Sequence, residues 1–409
     1  MKQITTIEEA IQIIHKEVSN SAYDIVPIEQ CIGRICADKI FATIDLPRFN
    51  NSAMDGYAVL LDDNNNQVSV ISRTLAGEVN NDILSSQKVI KVMTGAKVPD
   101  NAEAIVPIEN VEIVNDNEIK LPANIKSNQH IRFIGEDIKS KQLLIDTHQK
   151  LDFSHISLLS SQGITHIKVY SVPRVAIFAS GEELKLHFQD LGENQIYNSN
   201  TPTLYARAKE LGCEVSFLGS SKDSVESLQE LIINASKFDL IITSGGVSVG
   251  EADFTKEAFE KLGVETYFTK MQIKPGKPVV FGKLGNSFVL NLPGNPLASN
   301  LVFEVLGKII IQKLKNSNEI YHNYIDTRLK GDMKLKSGQF TVIPGYFDGE
   351  SFEALDKRAP GMVSVLSKAN GMIITQNDVD SLKDNSKVKF LPIKWEFFTK
   401  NHKNIFTSN

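Results

Sequence analysis

Residues 243–254, TSGGVSVGEADF, gather three glycines, two serines and two carboxylates into a stretch short enough to be a single turn. Those residue types allow three chemistries. Gly246-Val247-Ser248-Val249-Gly250 matches the G-x-S-x-G elbow of a serine hydrolase, glycine N–H groups can cradle an anion, and a Gly-Gly pair can simply reverse the chain. An elbow serine needs an acid and then a histidine further along. Only His322 and His402 follow, one in the expected link to the last domain and the other in a polar tail, so the hydrolase is disfavoured. A cradle is better served: Gly245, Gly246 and Gly250 let backbone N–H groups approach a ligand, Ser248 adds a hydroxyl, and the helix that follows favours an anion at its N-terminus. Glu251 and Asp253 suit that helix but repel a bare phosphate. A Mg²⁺ ion between carboxylate and phosphate removes the conflict.

Six further segments carry candidate chemistry. TKMQIKPGKPVVFG (269–282) sets Lys270 and Lys274 four apart on an expected strand, hence on one face, with Lys277 in a Pro-Gly turn beyond. This is either a solvated charge run or a local positive cluster. The chain as a whole has a formal net charge of −5, which gives no global attraction for nucleic acid or an anionic membrane. In FASGEEL (178–184), Glu183 follows a strand where an acid can reach a ribose hydroxyl or a metal; taken alone, the stretch is a helix start. LNLPGNPLASN (290–300) is a second restricted strand-to-helix junction. Asp55 in FNNSAMDGYAV, Thr94 in VMTGAKVP and Asp137 in IGEDI sit in tight turns of a strand-rich region, where a purely structural turn is the default.

The elements that must hold these residues follow from periodicity. The expected fold is multidomain α/β: a doubly wound, open, parallel sheet over 173–318, a β-rich inserted domain over 45–139, a helical linker domain from 1–44 with 140–172, and a small C-terminal β-barrel over 319–409. The sheet strands read RVAIFAS, EVSFLGS, FDLIITS, VETYFTK, PVVFGK and SFVLNL. Asp223 or Ser224 caps one helix and Asp253 opens another that stops at Gly263. Thr6 and Glu9 form a capping box ahead of an apolar face at Ile7, Ala10, Ile11, Ile14 and Val18, which makes the start an amphipathic helix and not a signal peptide. Without an apolar run long enough to span a membrane, the expected compartment is the cytoplasm. Cys31, Cys36 and Cys213 form no disulfide framework or zinc knuckle, so buried reduced thiols are expected, and the scattered histidines give no zinc site.

In this order SAMDGYAV, MTGAKVP, GEDI, SGEEL, TSGGVSVGEADF, IKPGKPVVFGKL and LPGNP, spanning about residues 45–300, resemble the molybdopterin molybdenumtransferase family, MoeA and the gephyrin E-domain proteins. The resemblance implies a transferase that inserts molybdate into adenylylated molybdopterin with release of AMP, with Mg²⁺ required. It implies that Gly245, Gly246, Ser248 and Gly250 hold the pterin phosphate and pyrophosphate, that Asp253 and Glu183 orient the anhydride through Mg²⁺, and that Lys270, Lys274 and Lys277 neutralise developing charge. Asp55 and Thr94, with Asp137 beside them, fall on the family's important positions in the β-region, and Asp223 matches a further acidic one. An elongated homodimer is implied, its cleft shared between the α/β domain of one subunit and the β-region of the other. The α/β domain alone is also MogA-like, similar to the adenylyltransferase that makes the substrate and is a candidate partner. The chain departs from the family pattern in the last domain: Gln339 or Pro344 stands where an arginine is expected and Pro360 where a serine is, both associated with an oxyanion site. Lys336, Lys357 and Arg358 are the candidate replacements, and a pterin-binding scaffold or a tungstate-handling paralogue is the alternative.

Overall fold

The computed structural model describes residues 4–221, 224–246, 254–394 and 406–407, and its centre is a six-stranded sheet. Strands β1 (Arg174–Ser180), β2 (Glu214–Ser221), β3 (Leu240–Ser244), β4 (Glu265–Lys270), β5 (Pro278–Leu284) and β6 (Ser287–Leu292) lie in the order β2-β1-β3-β6-β5-β4. The expected parallel pairing holds for β2, β1, β3 and β6. It fails at β5, which runs antiparallel to both β6 and β4. Only Gly285 and Asn286 separate β5 from β6, and so short a connection can only fold the strand back on its neighbour.

Both faces of the sheet are covered. The helices are α1 (Ile7–Glu17), α2 (Asn200–Glu210), α3 (Val225–Ala235), α4 (Phe254–Leu262), α5 (Pro296–Val302) and α6 (Lys308–Leu314), the last two joined through a π-turn at Phe303–Gly307. Val175, Ile177, Leu240 and Ile242 pack on one face with α2, α5 and α6, whereas Ala176, Phe178, Ile241 and Val289 pack on the other with α3 and α4. A sheet buried on both sides explains why its strands are almost continuously apolar. Each large side chain so buried stabilises the domain by about 1.5–3 kcal/mol.

The capping box of α1 forms as expected, with Glu9 N donating to Thr6 Oγ1 (3.2 Å) and Thr6 N to Glu9 Oε2 (3.1 Å). Its apolar residues Ile7, Ala10 and Ile14 enter the core of the α/β sheet. Just ahead of it, Thr5 is strapped to the end of β4 by bonds to Lys270 O (3.0 Å) and from Gln272 N (2.8 Å).

Three smaller units surround this core. The linker joins strand Tyr23–Pro27 to His166–Tyr170 and carries helix Phe153–Ser161 over its own core, which contains Cys31 and Cys36. All three thiols are buried, and burial pushes that of Cys213 up to about 12. A separate six-stranded sheet runs, in spatial order, Ala104–Pro107, Gly56–Val59, Lys88–Val92, Gln67–Thr74, Glu118–Lys120 and Glu112–Asn115. The last unit is a closed five-strand barrel, because Phe340–Phe347 pairs with both Ser351–Ala354 and Gly371–Thr375 while Ile325–Lys330 and Lys387–Pro392 complete the ring. Among the described residues, no helix is long and apolar enough to cross a membrane.

Candidate active site

Where β1, β3 and β6 end, the chain leaves the sheet three times around one cavity of about 730 Å³. The lining takes Ser180 and Gly181 from the first exit, Ser244, Gly245 and Gly246 from the second, and Pro293 to Pro296 from the third. These are carboxyl ends of parallel strands at the point where the connections diverge, the usual place for a ligand in an open α/β sheet. Gly245 and Gly246 have φ of +99° and +66°, values that side chains resist. A Cβ on Gly245 would stand 2.7 Å from Ser180 O, and one on Gly246 would stand 2.2 Å from Thr255 Oγ1. Bare backbone is therefore what this turn offers to a ligand.

The second and third exits are tied together by a residue that sequence reasoning missed. Buried Asn200 donates from Nδ2 to Ser244 Oγ (2.8 Å) and to Gly294 O (2.8 Å), and Ser244 Oγ donates to Pro293 O (3.1 Å). Two residues earlier, Asn198 accepts from Thr201 N at 3.1 Å. The signal was there in Asn198-Ser199-Asn200 ahead of Pro202, but an asparagine near a helix start is read as a cap. Ser199, the actual N-cap of α2, makes no side-chain cap bond.

Among the anticipated residues, the cavity lining contains Glu183, Gly245 and Gly246. The carboxylate of Glu183 has no hydrogen-bond or ionic partner among the described residues. No helix starts there: Leu184–Lys185 pairs in parallel with Ile196–Tyr197, so the chain makes a long excursion before α2. The expectation that Lys270 and Lys274 share one strand face is corrected. Lys270 closes β4, whereas Lys274 belongs to the separate strand Ile273–Lys274, which pairs with Phe340 and Thr341 of the barrel. Lys270 stands opposite Pro278, a lining residue, and Lys277 immediately precedes it with its carbonyl bonded to Met271 N (2.8 Å). Asp223, Ser248, Gly250 and Asp253 lie outside the described residues.

Asp55 and Thr94 are brought to each other. Thr94 N and Thr94 Oγ1 both donate to Asp55 Oδ1 at 2.7 Å, and these bonds, the backbone one first, hold the Asp55 carboxyl below the usual carboxylate range. Asp137 is exposed, with its backbone N–H bonded to Leu46 O (3.0 Å). None of the three lines the cavity of its own chain.

The barrel also reaches the cavity. Gly361 and Val363 belong to the lining, and Pro360 O accepts from Leu297 N (2.9 Å) and Ala298 N (3.4 Å) at the start of α5. An adjoining hollow of about 530 Å³ shares Val363 and is lined also by Asp356, Lys357, Ser364 and Lys368. Pro344 is buried in the barrel strand opposite Met372, Gln339 is half-buried, Lys336 is exposed, and Arg358 donates to Leu355 O. His322 Nε2 lies 2.8 Å from Val305 O, and burial lowers the imidazole pKa, which leaves this ring bound behind the long helix and not poised as a base for a serine.

Residues 5–163 match the family model for the MoeA N-terminal region (domain I and II), and residues 176–313 match that for a probable molybdopterin binding domain. A molybdopterin molybdenumtransferase from Haemophilus influenzae is 39% identical over 295 residues, 71% of this chain and 73% of that protein. One from Staphylococcus epidermidis is 30% identical over 394 residues, 90% and 91% of the two chains. The chain belongs to the molybdopterin molybdenumtransferase family. As a member it is a transferase of molybdenum cofactor biosynthesis. The whole molecule also superposes on the molybdopterin biosynthesis MoeA protein from Pyrococcus horikosii with a TM-score of 0.83 and 30% identity, over 96% of this chain and 100% of that one. Membership in the molybdenumtransferase family removes the hydrolase reading of G-x-S-x-G. It also gives the separate placement of Asp55 and the cavity a context, since one family model covers the former and the other the latter.

Proposed function

We propose that this chain inserts molybdate into adenylylated molybdopterin, releasing AMP, in a Mg²⁺-dependent reaction at the cavity above β1, β3 and β6. The observation that carries the reading is the side-chain-free turn at Gly245 and Gly246, which faces Glu183 across one lining. Gly245 N–H is taken up by Leu292 O (3.2 Å), so the phosphate oxygens are bound through the Gly246 N–H and the backbone that follows it, which need no rearrangement as charge develops. Lys270 and Lys277, flanking Pro278 at the rim, attract the anionic substrate and offset charge on its oxygens. Ser248, Gly250, Asp223 and Lys274 complete the proposed substrate contacts, and Asp55, Thr94 and Asp137 act from the β-rich region.

The residues present fit Mg²⁺ of the kind that is held by one or two carboxylates and the substrate's own phosphates. Among the described residues Glu183 supplies one carboxylate without a partner in the cavity, and no group of three or more His, Cys, Asp or Glu forms a dedicated metal cage. Glu183 and Asp253 would hold the ion, which supplies charge neutralisation on the anhydride oxygens.

Two further parts of the reading concern the oxyanion and the assembly. Lys357, Lys368 and Ser364 line the hollow next to the cavity together with Asp356, and the two ammonium groups attract a tetrahedral dianion in place of the arginine and serine that the chain lacks elsewhere in this domain. The assembly is a homodimer in the cytoplasm whose partner subunit brings Asp55 and Thr94 to the cavity, and an adenylyltransferase supplies the substrate. Purified protein given adenylylated molybdopterin, Mg²⁺ and either molybdate or tungstate should release AMP and yield cofactor that activates an apo-molybdoenzyme with molybdate. Absence of AMP release with both oxyanions would reject insertion and leave a pterin-binding scaffold.

A further inference from the structure

The cavity lining is chemically two-sided, and phosphate binding accounts for only one side. Ser180, Gly181, Ser244, Gly245 and Gly246 offer backbone and hydroxyl groups. The remainder includes an apolar set drawn from two distant parts of the chain, Leu184, Ile196 and Tyr197 from the excursion after β1 and Val363 from the barrel. Ile196, Tyr197 and Val363 are 57%, 47% and 62% exposed. Single exposed apolar residues are ordinary, but several bordering one concavity mark a surface meant to be covered.

Tyr197 is also held as a platform would be. Its strand pairs in parallel with Leu184–Lys185, Ile196 N donates to Glu183 O (2.9 Å) and Asn198 N donates to Lys185 O (2.8 Å), so hydrogen bonds fix the backbone on both sides of it. Asn198 is locked in turn by Thr201 N at the start of α2. Tyr197 itself has no ring contact or hydrogen-bond partner for its side chain among the described residues. A half-exposed phenol ring on a hydrogen-bonded backbone, without a partner among the described residues and in the same cavity lining as Gly245 and Gly246, has the chemistry of a stacking surface.

We propose that Tyr197, with Val363 of the same cavity lining beside it, determines specificity by stacking on a planar nitrogen heterocycle of the substrate, the purine of its adenylyl group or its bicyclic pterin. The inference rests on the function proposed above, because it takes the phosphate side of the same cavity as given. Stacking of a base on an aromatic side chain changes affinity by about tenfold, and it is tolerant of which heterocycle is presented. A residue acting in this way discriminates ring-bearing phosphates from ringless ones and leaves phosphate binding itself alone.

The test is calorimetric titration of the full chain with AMP, neopterin monophosphate and ringless ribose 5-phosphate. The expected result is that at least one ring-bearing ligand binds about tenfold more tightly than ribose 5-phosphate. Tyr197→Ala should erase that difference with ribose 5-phosphate affinity unchanged, while Tyr197→Phe preserves it. Whichever ligand responds identifies the ring. Equal weakening of all three ligands by Tyr197→Ala, no weakening of any, or a wild-type protein that does not distinguish them would overturn the proposal. So would an altered sedimentation coefficient for Tyr197→Ala with unchanged selectivity, which would make the tyrosine a subunit contact. Molybdate insertion without Tyr197-dependent selectivity would retain the proposed function and remove this inference, and selectivity without insertion would do the reverse.

Discussion

Asp55 and Thr94 are 39 residues apart in the chain, yet two donors of Thr94 converge on a single oxygen of Asp55. The backbone N–H is the larger cause of the lowered Asp55 pKa and the hydroxyl the smaller, with Lys91 adding a distant charge. A carboxyl whose folded pKa is depressed keeps this contact above its ordinary value and loses it as the pH falls through the lowered one. Thr94→Val removes only the hydroxyl, so the Asp55 pKa should rise part of the way towards the ordinary carboxylate value of about 3.9, read by NMR titration of the carboxyl carbon. An unchanged value would show that the amide alone sets it. Each residue was legible as a turn, but their contact was not, because a bond between the ends of two strands that pair across a long connection leaves no spacing in the sequence. Asn200 was hidden for a different reason: its donors reach Ser244 and Gly294, 44 and 94 residues away.

The helix that begins at Asn200 is secured at its other end by charge. Arg207 Nε and Nη2 donate to Glu304 at 2.6 and 3.1 Å, Lys308 Nζ lies 3.6 Å from the same carboxylate, and Arg207 Nη2 also reaches Ile393 O of the barrel at 2.9 Å. The Glu304 side chain is only 5% exposed, so its removal strands Lys308 in a largely buried place and leaves Arg207 with only its exposed carboxylate partner Glu210 (2.8 Å). Glu304→Ala should destabilise the protein by about 3–5 kcal/mol in denaturant unfolding, whereas Arg207→Met, Glu304→Leu and Lys308→Met together should lose far less, because no unpaired charge is left behind. A triple variant as unstable as Glu304→Ala would show that shape and not charge is at issue. At this scale the sequence was most informative: the Thr6–Glu9 box, the six sheet strands and the helix stop at Gly263 all follow from local chemistry. It failed where a two-residue turn at Gly285 reversed β5 and where the barrel captured Ile273–Lys274, since both depend on which neighbour a strand finds.

Across the whole molecule, the proposed function has motifs in two domains act on one substrate, whereas a single chain leaves Asp55 and Thr94 out of its own cavity lining. The linker and β-rich units also expose Ile25 (70%), Ile32 (62%) and Phe153 (79%), together with Phe41, Phe49, Phe133 and Leu143. Apolar surface of this extent is what an isologous dimer covers, and a two-fold axis would present the β-rich unit of one subunit to the cavity of the other. Such an arrangement would have no local signature in the sequence beyond the resemblance, because it would be a property of two chains. It makes a sharp prediction for paired inactive variants. Asp55→Ala and Glu183→Ala, each expected to abolish AMP release alone, are co-expressed with different affinity tags and the heterodimer is purified. In a shared cleft one site of the heterodimer takes both substitutions and the other takes neither, so about half of the wild-type activity per dimer should return. If each chain instead builds its site from its own residues, both sites of the heterodimer carry one lesion and the activity stays at the level of the single variants, which would place Asp55 and the cavity in one subunit.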